Sequence, residues 1–278
     1  MQDTYKAVTR FADLDTQRHV TSRTYESMAL EGRYRILAQA GFPFEKIQSE
    51  QIYLRPVSNY AKFHRQQFPA VELNVVTEVN PTTQGTLHWN QKVFEMNGSL
   101  VCHLQQETQT IQNGKPLVIP IESQPTEPVL YEKLPPWTGQ CERIATYYTI
   151  PFAERDFAGK YNLASYWKIF EEGRWGFAEK TGLTYERIVE LDTTSFYMGG
   201  IASFYTEIAA GRTIEILTWV ERIDKIRYWF RQDLVLEGQV LASMRDEQLI
   251  VSLSRARPQR ATPKFLTYME KYVEFKPA

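Results

Sequence analysis

Near its start the chain reads FADLDTQRHVTS (11–22), which places Asp13, Asp15 and His19 in one short stretch, with Gln17 between them and Thr21 and Ser22 just after. These side-chain types suit acid–base or nucleophilic chemistry. A carboxylate activates water or attacks a carbonyl itself. An imidazole with a pKa of about 6.5 orients or relays a proton. Thr21 has the chemistry of a helix N-cap, and the backbone N–H groups of a helix N-terminus stabilise a developing oxyanion. The competing reading is structural, because an Asp before a helix commonly closes a turn or meets the helix dipole.

The stretch occurs twice. FADLDTQRHVTSRTYESMALEGRYRILAQAGFPFEKI (11–47) lies without a gap over FAERDFAGKYNLASYWKIFEEGRWGFAEKTGLTYERI (152–188), with ten of 37 positions identical at an offset of 141. Asp15 meets Asp156, Tyr25 meets Tyr166, and the block Glu31-Gly32-Arg33 meets Glu172-Gly173-Arg174. Asp156 therefore becomes a second candidate carboxylate, with Asn162 as its helix cap and Gly159 in the loop between them. Arg33 and Arg174 read as structural ion-pair formers, with Glu31 or Glu172 of the other copy as candidate partners.

The elements that must hold these loops follow from hydrophobic period. A short alternating strand precedes each loop (YKAVTRF and ERIATYYTI). A helix follows each, with Tyr25, Met28, Ala29, Ile36 and Ala40 near one face in the first copy and Tyr166, Ile169, Phe170, Phe177 and Ala178 in the second. Trp167, Trp175 and Phe177 read as core by the same spacing. Gly41 and Gly182 fit C-terminal caps. Gly32 and Gly173 lie mid-helix at a cost of about 1 kcal/mol each against Ala, which a close backbone approach would explain. Three β-rich stretches then follow in each copy, with Asn97-Gly98 and Glu237-Gly238 as hairpin turns. Six of the 14 prolines fall in 114–139, a semi-rigid connection. The expected organisation is a first domain over 1–113, this linker, a second domain over 140–255, and a tail over 256–278 with a helix opening at Pro263. The fold class is α+β: each copy lays one long helix on an antiparallel sheet, and the two copies pair as a pseudo-dimer.

Bulk properties narrow the function. A formal net charge of −1 with 43% hydrophobic residues argues for a globular chain and against a nucleic-acid partner. Cys102 and Cys141 make no disulfide framework, and no His or Cys spacing fits zinc. No signal-like segment and no long apolar run is present, so a cytoplasmic protein without membrane association is expected. His64, His88 and His103 fall in strand-like segments with no evident partner.

At these residues the sequence resembles the hotdog-fold thioesterases. Their pattern, an aromatic followed by D-x-D-x-x-G-H-V-N-N-x-x-Y, is met by Asp13-Leu14-Asp15, His19-Val20-Thr21-Ser22 and Tyr25, and again by Phe152, Asp156, Gly159, Asn162 and Tyr166. The two-copy arrangement is similar to the acyl-acyl carrier protein thioesterases, whose string Asp13-Leu14-Asp15-Thr16-Gln17-Arg18-His19-Val20 follows closely. The run Asp156-Phe157-Ala158-Gly159 resembles the hydroxybenzoyl-CoA type. Departures are visible: Thr21-Ser22 replace an Asn pair, and Lys160 stands where His is frequent. A carboxylate expected on the strand after the helix aligns with Gln66 in one copy and Glu207 in the other. The resemblance implies hydrolysis of an acyl-CoA or acyl-carrier-protein thioester by water, with no cofactor or metal. Asp15, His19, Gln17, Asp156 and Glu207 would be its catalytic groups, and Thr21, Ser22, Gly159 and Asn162 would contact substrate. A homodimer of the pseudo-dimer is compatible with it. Two alternatives share the fold: an enoyl-thioester hydratase or dehydratase, and a non-catalytic acyl-thioester binder.

Overall fold

The computed structural model describes residues 1–15, 18–82, 85–122 and 127–275. In the first repeat, β1 (Gln2–Val8) leads through a short 3-10 turn at Phe11–Asp13 into α1 (Ser22–Gln39) and a brief α2 (Phe44–Ser49). Strands β2 (Ile52–Phe63), β3 (Glu72–Pro81), β4 (Thr86–Glu95) and β5 (Leu100–Gln112) follow, and the two-residue β6 (Lys115–Pro116) closes back on β5. The second repeat runs the same course. It comprises β7 (Ile144–Thr149), α3 (Leu163–Thr181), α4 (Tyr185–Glu190), β8 (Thr194–Phe204), β9 (Thr213–Asp224), β10 (Arg227–Leu236) and β11 (Gln239–Ser252). A two-residue β12 (Arg257–Pro258) and α5 (Pro263–Thr267) end it. The strands neighbour one another in the order β1-β3-β4-β5-β2 in the first repeat and β7-β9-β10-β11-β8 in the second, all antiparallel.

By its contacts the chain forms two compact units. The first takes residues 1–132 and 152–167, and the second takes 133–151 and 168–278. The loop that enters the second repeat's helix is thus counted with the first unit. In that unit, Ile36 and Leu37 of α1 pack with Val79, Leu87, Trp89, Ile52 and Leu54 of the sheet. In the second unit, Phe177 packs with Val220, Phe230, Ile250, Phe265 and Met269. Trp175, expected in the core, is instead 38% exposed. It faces outward because Gly176 beside it is the residue that meets the sheet, at Thr146.

The mid-helix glycines have a clear cause. A Cβ on Gly32 would lie 2.2 Å from Thr77 Oγ1, and one on Gly173 would lie 2.3 Å from Gln232 Nε2 and 2.6 Å from Ile216 Cγ2. The helix is drawn onto the sheet there by a strand glutamine. Gln91 Nε2 donates to the Ala29 carbonyl at 2.8 Å and to Thr77 Oγ1 at 2.9 Å. Gln232 Nε2 donates to the Phe170 carbonyl at 2.9 Å and to Thr218 Oγ1 at 3.3 Å. Both ties sit at the 141-residue offset.

The two arginines form ion pairs within their own repeats. Glu31 and Glu172 face solvent and are not the partners. Arg33 is fully buried, donating to Glu26 Oε2 (3.2 Å) and Gln91 Oε1 (2.8 Å), and Asn59 donates to the other Glu26 oxygen. Trp167 occupies the place of Glu26 in the second repeat, so Arg174 takes its carboxylate from the sheet, at Asp246 (3.0 Å).

Local signals give the remaining boundaries. Gly41 and Gly182 take φ of +90° and +86° past the helix ends, and Phe42 and Leu183 donate back to Leu37 and Ala178. Glu237 and Gly238 both have positive φ in the β10–β11 hairpin. Thr262 caps α5 and Pro263 opens it.

Candidate active site

The two Asp loops adopt the same turn. In the first, Asp15 N–H donates to the His19 carbonyl (2.9 Å), Arg18 N–H to the Asp15 carbonyl (3.0 Å), and His19 N–H to Asp15 Oδ1 (3.0 Å). In the second, Asp156 N–H donates to the Lys160 carbonyl (2.8 Å) and Gly159 N–H to the Asp156 carbonyl (2.9 Å). Ala158 and Lys160 N–H groups both donate to Asp156 Oδ1, at 3.0 and 2.9 Å. The fourth residue of each turn is left-handed: Gly159 at φ +72° and Arg18 at φ +66°. Glycine meets that demand freely, whereas arginine accepts a cost of about 1–2 kcal/mol. Each carboxylate is therefore held half-buried by its own loop, with Oδ1 turned toward the backbone.

The loops open onto helix N-termini. Thr21 N–H donates to the Asp13 carbonyl (2.9 Å), which brings the chain into α1 at Ser22. Thr21 is the N-cap by position only: its hydroxyl lies 3.1 Å from Thr24 Oγ1 and bonds no backbone N–H. Asn162 caps fully, accepting from Ser165 N–H at 3.2 Å. Asp13 has a different job from Asp15. It is buried and accepts from Arg10 N–H, Nε and Nη2. Burial pushes its carboxyl up, but the Arg10 hydrogen bonds and charge outweigh that and hold it below the usual aspartate value.

The surroundings of the two loops differ. Beside the first, Val20 N–H donates to the Gln67 carbonyl (3.2 Å) and the His19 ring meets Phe68 edge-on, centroids 6.1 Å apart. Phe68 and Phe11 are both largely exposed here. Beside the second, Phe157 sets its ring against Tyr34 of α1 (5.5 Å) and Phe44 of α2 (6.1 Å), and Lys160 Nζ lies 5.0 Å over the Tyr53 ring. Burial, then the charge of Asp156, raises the Tyr34 hydroxyl well above the usual tyrosine value.

Asp15, His19, Thr21 and Ser22 thus share one turn and the helix it feeds, while Asp156, Gly159 and Asn162 share the other. Both belong to the first compact unit, whereas Glu207 belongs to the second. Gln17 lies outside the described residues. Gln66 and Glu207 lie on the loops that follow β2 and β8, not on the strands themselves as expected, because both strands end three residues earlier at Phe63 and Phe204. Two histidines do have partners: His88 Nδ1 lies 3.0 Å from Tyr131 Oη, and His103 Nε2 lies 2.6 Å from Asn90 Oδ1. His64 is exposed beyond β2. The sequence reading missed Tyr34, Phe44 and Tyr53 as neighbours of the second loop. Phe157, an aromatic among charged loop residues, was the available signal. Among the described residues no three His, Cys, Asp or Glu side chains gather as metal ligands, and no helix is long and apolar enough to cross a membrane.

Residues 150–269 match the thioesterase-like superfamily. The thioesterase resemblance holds. The match begins just after β7 and covers the Asp156 turn, α3, α4 and strands β8–β11. Over most of its length the chain also has the fold of solved thioesterases. A putative oleoyl thioesterase from Lactobacillus plantarum superposes with a TM-score of 0.72 at 9% identity, covering 90% of this chain and 97% of that one. The 12:0-ACP thioesterase from Umbellularia californica gives 0.69 at 12% identity, covering 93% and 94%. An acyl-ACP thioesterase from Bacteroides thetaiotaomicron gives 0.65 at 13% identity, covering 89% and 97%. At these identities the likeness is one of fold. A search of curated proteins finds no sequence match.

Proposed function

We propose that the protein hydrolyses an acyl thioester, carried on CoA or on an acyl carrier protein, to a free acid and a thiol. The observation that carries the reading is the repeated turn. An Asp held by the N–H four residues on stands six residues before the N-cap of a long helix, in a chain whose second repeat matches the thioesterase-like superfamily.

In the proposed reaction the Asp carboxylate takes a proton from water as the water oxygen attacks the thioester carbonyl carbon. The oxyanion that forms is met by the first N–H groups of the helix, Ser22 and Arg23 in one repeat and Leu163 and Ala164 in the other. The C–S bond then breaks and the leaving thiolate recovers the proton. A direct attack by the carboxylate reaches the same products through an anhydride that water cleaves. We assign the leading role to Asp15 with His19 as its proton partner, with Asp156 as the second site. Thr21, Ser22, Gly159 and Asn162 shape the approach of the substrate, and Glu207 and Gln17 are assigned supporting roles.

The use of Asp Oδ1 in loop closure also favours a second reading, in which both loops are structural and the protein binds thioesters without turnover. Asparagine keeps the Oδ1 acceptor and removes the base, so Asp15→Asn and Asp156→Asn separate the two. Thiol release is measured from acyl-CoAs and acyl-carrier-protein thioesters of graded chain length. The catalytic loop's variant should lose about 10²–10⁴-fold in rate. No turnover by the wild type on any of these thioesters would sink the proposal.

A further inference from the structure

The segment between the repeats is seated on a sheet. On β4 of the first unit, odd-numbered residues such as Trp89 and Gln91 face α1, so His88, Asn90 and Lys92 project from the opposite face. Cross-strand partners put Ser58, Gln105, Glu107, His103 and Glu78 on that face too. Residues 127–131 lie across it. Gln105, fully buried, grips the segment twice: its Nε2 donates to the Pro128 carbonyl (3.0 Å) and its Oε1 accepts from Leu130 N–H (2.8 Å). At one end Glu127 pairs with Lys92 and lies 3.7 Å from His103 Nε2. At the other, Tyr131 Oη lies 3.0 Å from His88 Nδ1, and on the same face Ser58 Oγ donates to Glu107 Oε2 at 3.3 Å.

His88 is the weak point of this seat. It is 3% exposed, and its Nε2 is buried with no hydrogen-bond partner among the described residues. Neutral imidazole tolerates that. Imidazolium places a charged N–H where nothing accepts it. We propose that residues 127–131 form a strap that mild acid releases from the first unit's sheet, with His88 as the trigger.

The other charged groups on this face set the balance. Glu107 is the cross-strand neighbour of His88 and would favour its charged form, but it is engaged by Ser58. Glu78 is held by Asn90. Lys92 opposes protonation of His103, and Glu132, next to Tyr131, is exposed. His103 pulls the other way from His88, because its charged form is drawn to Glu127 on the strap. Burial lowers the pKa of both histidines, with Lys92 adding to the effect at His103. A base whose seated-state pKa is depressed contributes its stability above the released-state value of about 6.5 and loses it as pH falls below that.

The test is hydrogen–deuterium exchange on the full-length protein, corrected for intrinsic rates, read at the Leu130 amide. Exchange there should rise at least fivefold between pH 7.5 and pH 5.5 in the wild type. His88→Asn keeps a partner for Tyr131 without titrating, so its exchange should stay level over the same range. His103→Asn should sharpen the release by removing the opposing charge. A wild-type Leu130 amide equally protected at both pH values, or the same rise in His88→Asn, would overturn the proposal.

Discussion

Gly32→Ala sets two magnitudes against each other. In an exposed helix the change should stabilise by about 1 kcal/mol. Here the new methyl carbon would sit 2.2 Å from Thr77 Oγ1, well inside the roughly 3.5 Å of ordinary contact. Either the helix lifts off the sheet or Thr77 turns away. Overpacking of this kind costs about 1–3 kcal/mol. Displacing Thr77 also disturbs the Gln91 amide, which ties strand to helix at the Ala29 carbonyl, and an unmade buried hydrogen bond costs about 1–3 kcal/mol more. Set against the propensity gain, the net loss is about 1–5 kcal/mol. Urea unfolding followed by tryptophan fluorescence measures it. Thr77→Ala supplies the control, because with the hydroxyl gone the nearest atoms to the methyl introduced at position 32 are the Cβ of residue 77 at 3.3 Å and Gln91 Nε2 at 3.4 Å, a much milder contact. The double variant should therefore be more stable than the two single losses predict, by about 1 kcal/mol or more. If Gly32→Ala is as stable as the wild type, or the two changes simply add, the close approach is not what keeps glycine there.

Three other outcomes follow from the same structure. Glu26→Ala leaves Arg33 buried without its carboxylate and should cost about 3–5 kcal/mol, read as a lower urea midpoint; replacing both residues by well-packed apolar ones should recover much of it. The Asp13 carboxyl has a depressed pKa, so its contribution to stability is present above about pH 4 and is lost as pH falls through the folded-state value. In Arg10→Gln that acid-dependent loss should shrink, which a series of thermal melts from pH 7 to pH 3 would show. Phe157→Ala removes the ring that seats the second loop on Tyr34 and Phe44, so limited proteolysis within 152–162 should speed up severalfold with little change in overall stability.

The elements were legible because period, caps and hairpin dipeptides act locally. Asn162, Gly182, Gly238 and Pro263 each do what their type dictates. The repeat carried more, since two loops with few identical residues fold into one turn around a shared Asp. What the sequence hid was pairing at a distance. The sequence reading pairs Arg33 with a glutamate of the other copy, and Glu31, two positions away on its own helix, is turned from it by about 200°; its partner is Glu26, seven residues back on the same helix. Arg174 has no such carboxylate on its helix and finds Asp246 on a strand. Gln91 and Gln232 were discoverable: carrying the 141-residue offset beyond Phe63 and Phe204 aligns them, along with Thr77 and Thr218. The seat of residues 127–131 was not legible, because six prolines in 114–139 indicate an extended chain without saying what it lies on.

The corresponding turns at Asp15 and Asp156 amount to a paired experiment inside one polypeptide. The Asp N–H to fourth-residue carbonyl bond, the bond back to the Asp carbonyl and the left-handed φ recur in both, while the side chains at the third and fourth positions after Asp are Gly159-Lys160 in one and Arg18-His19 in the other. Exchanging those dipeptides between the loops changes side chains at positions whose backbone hydrogen bonds already correspond. Any difference in chemistry that travels with the dipeptide belongs to the side chains, and any that stays behind belongs to the neighbourhood.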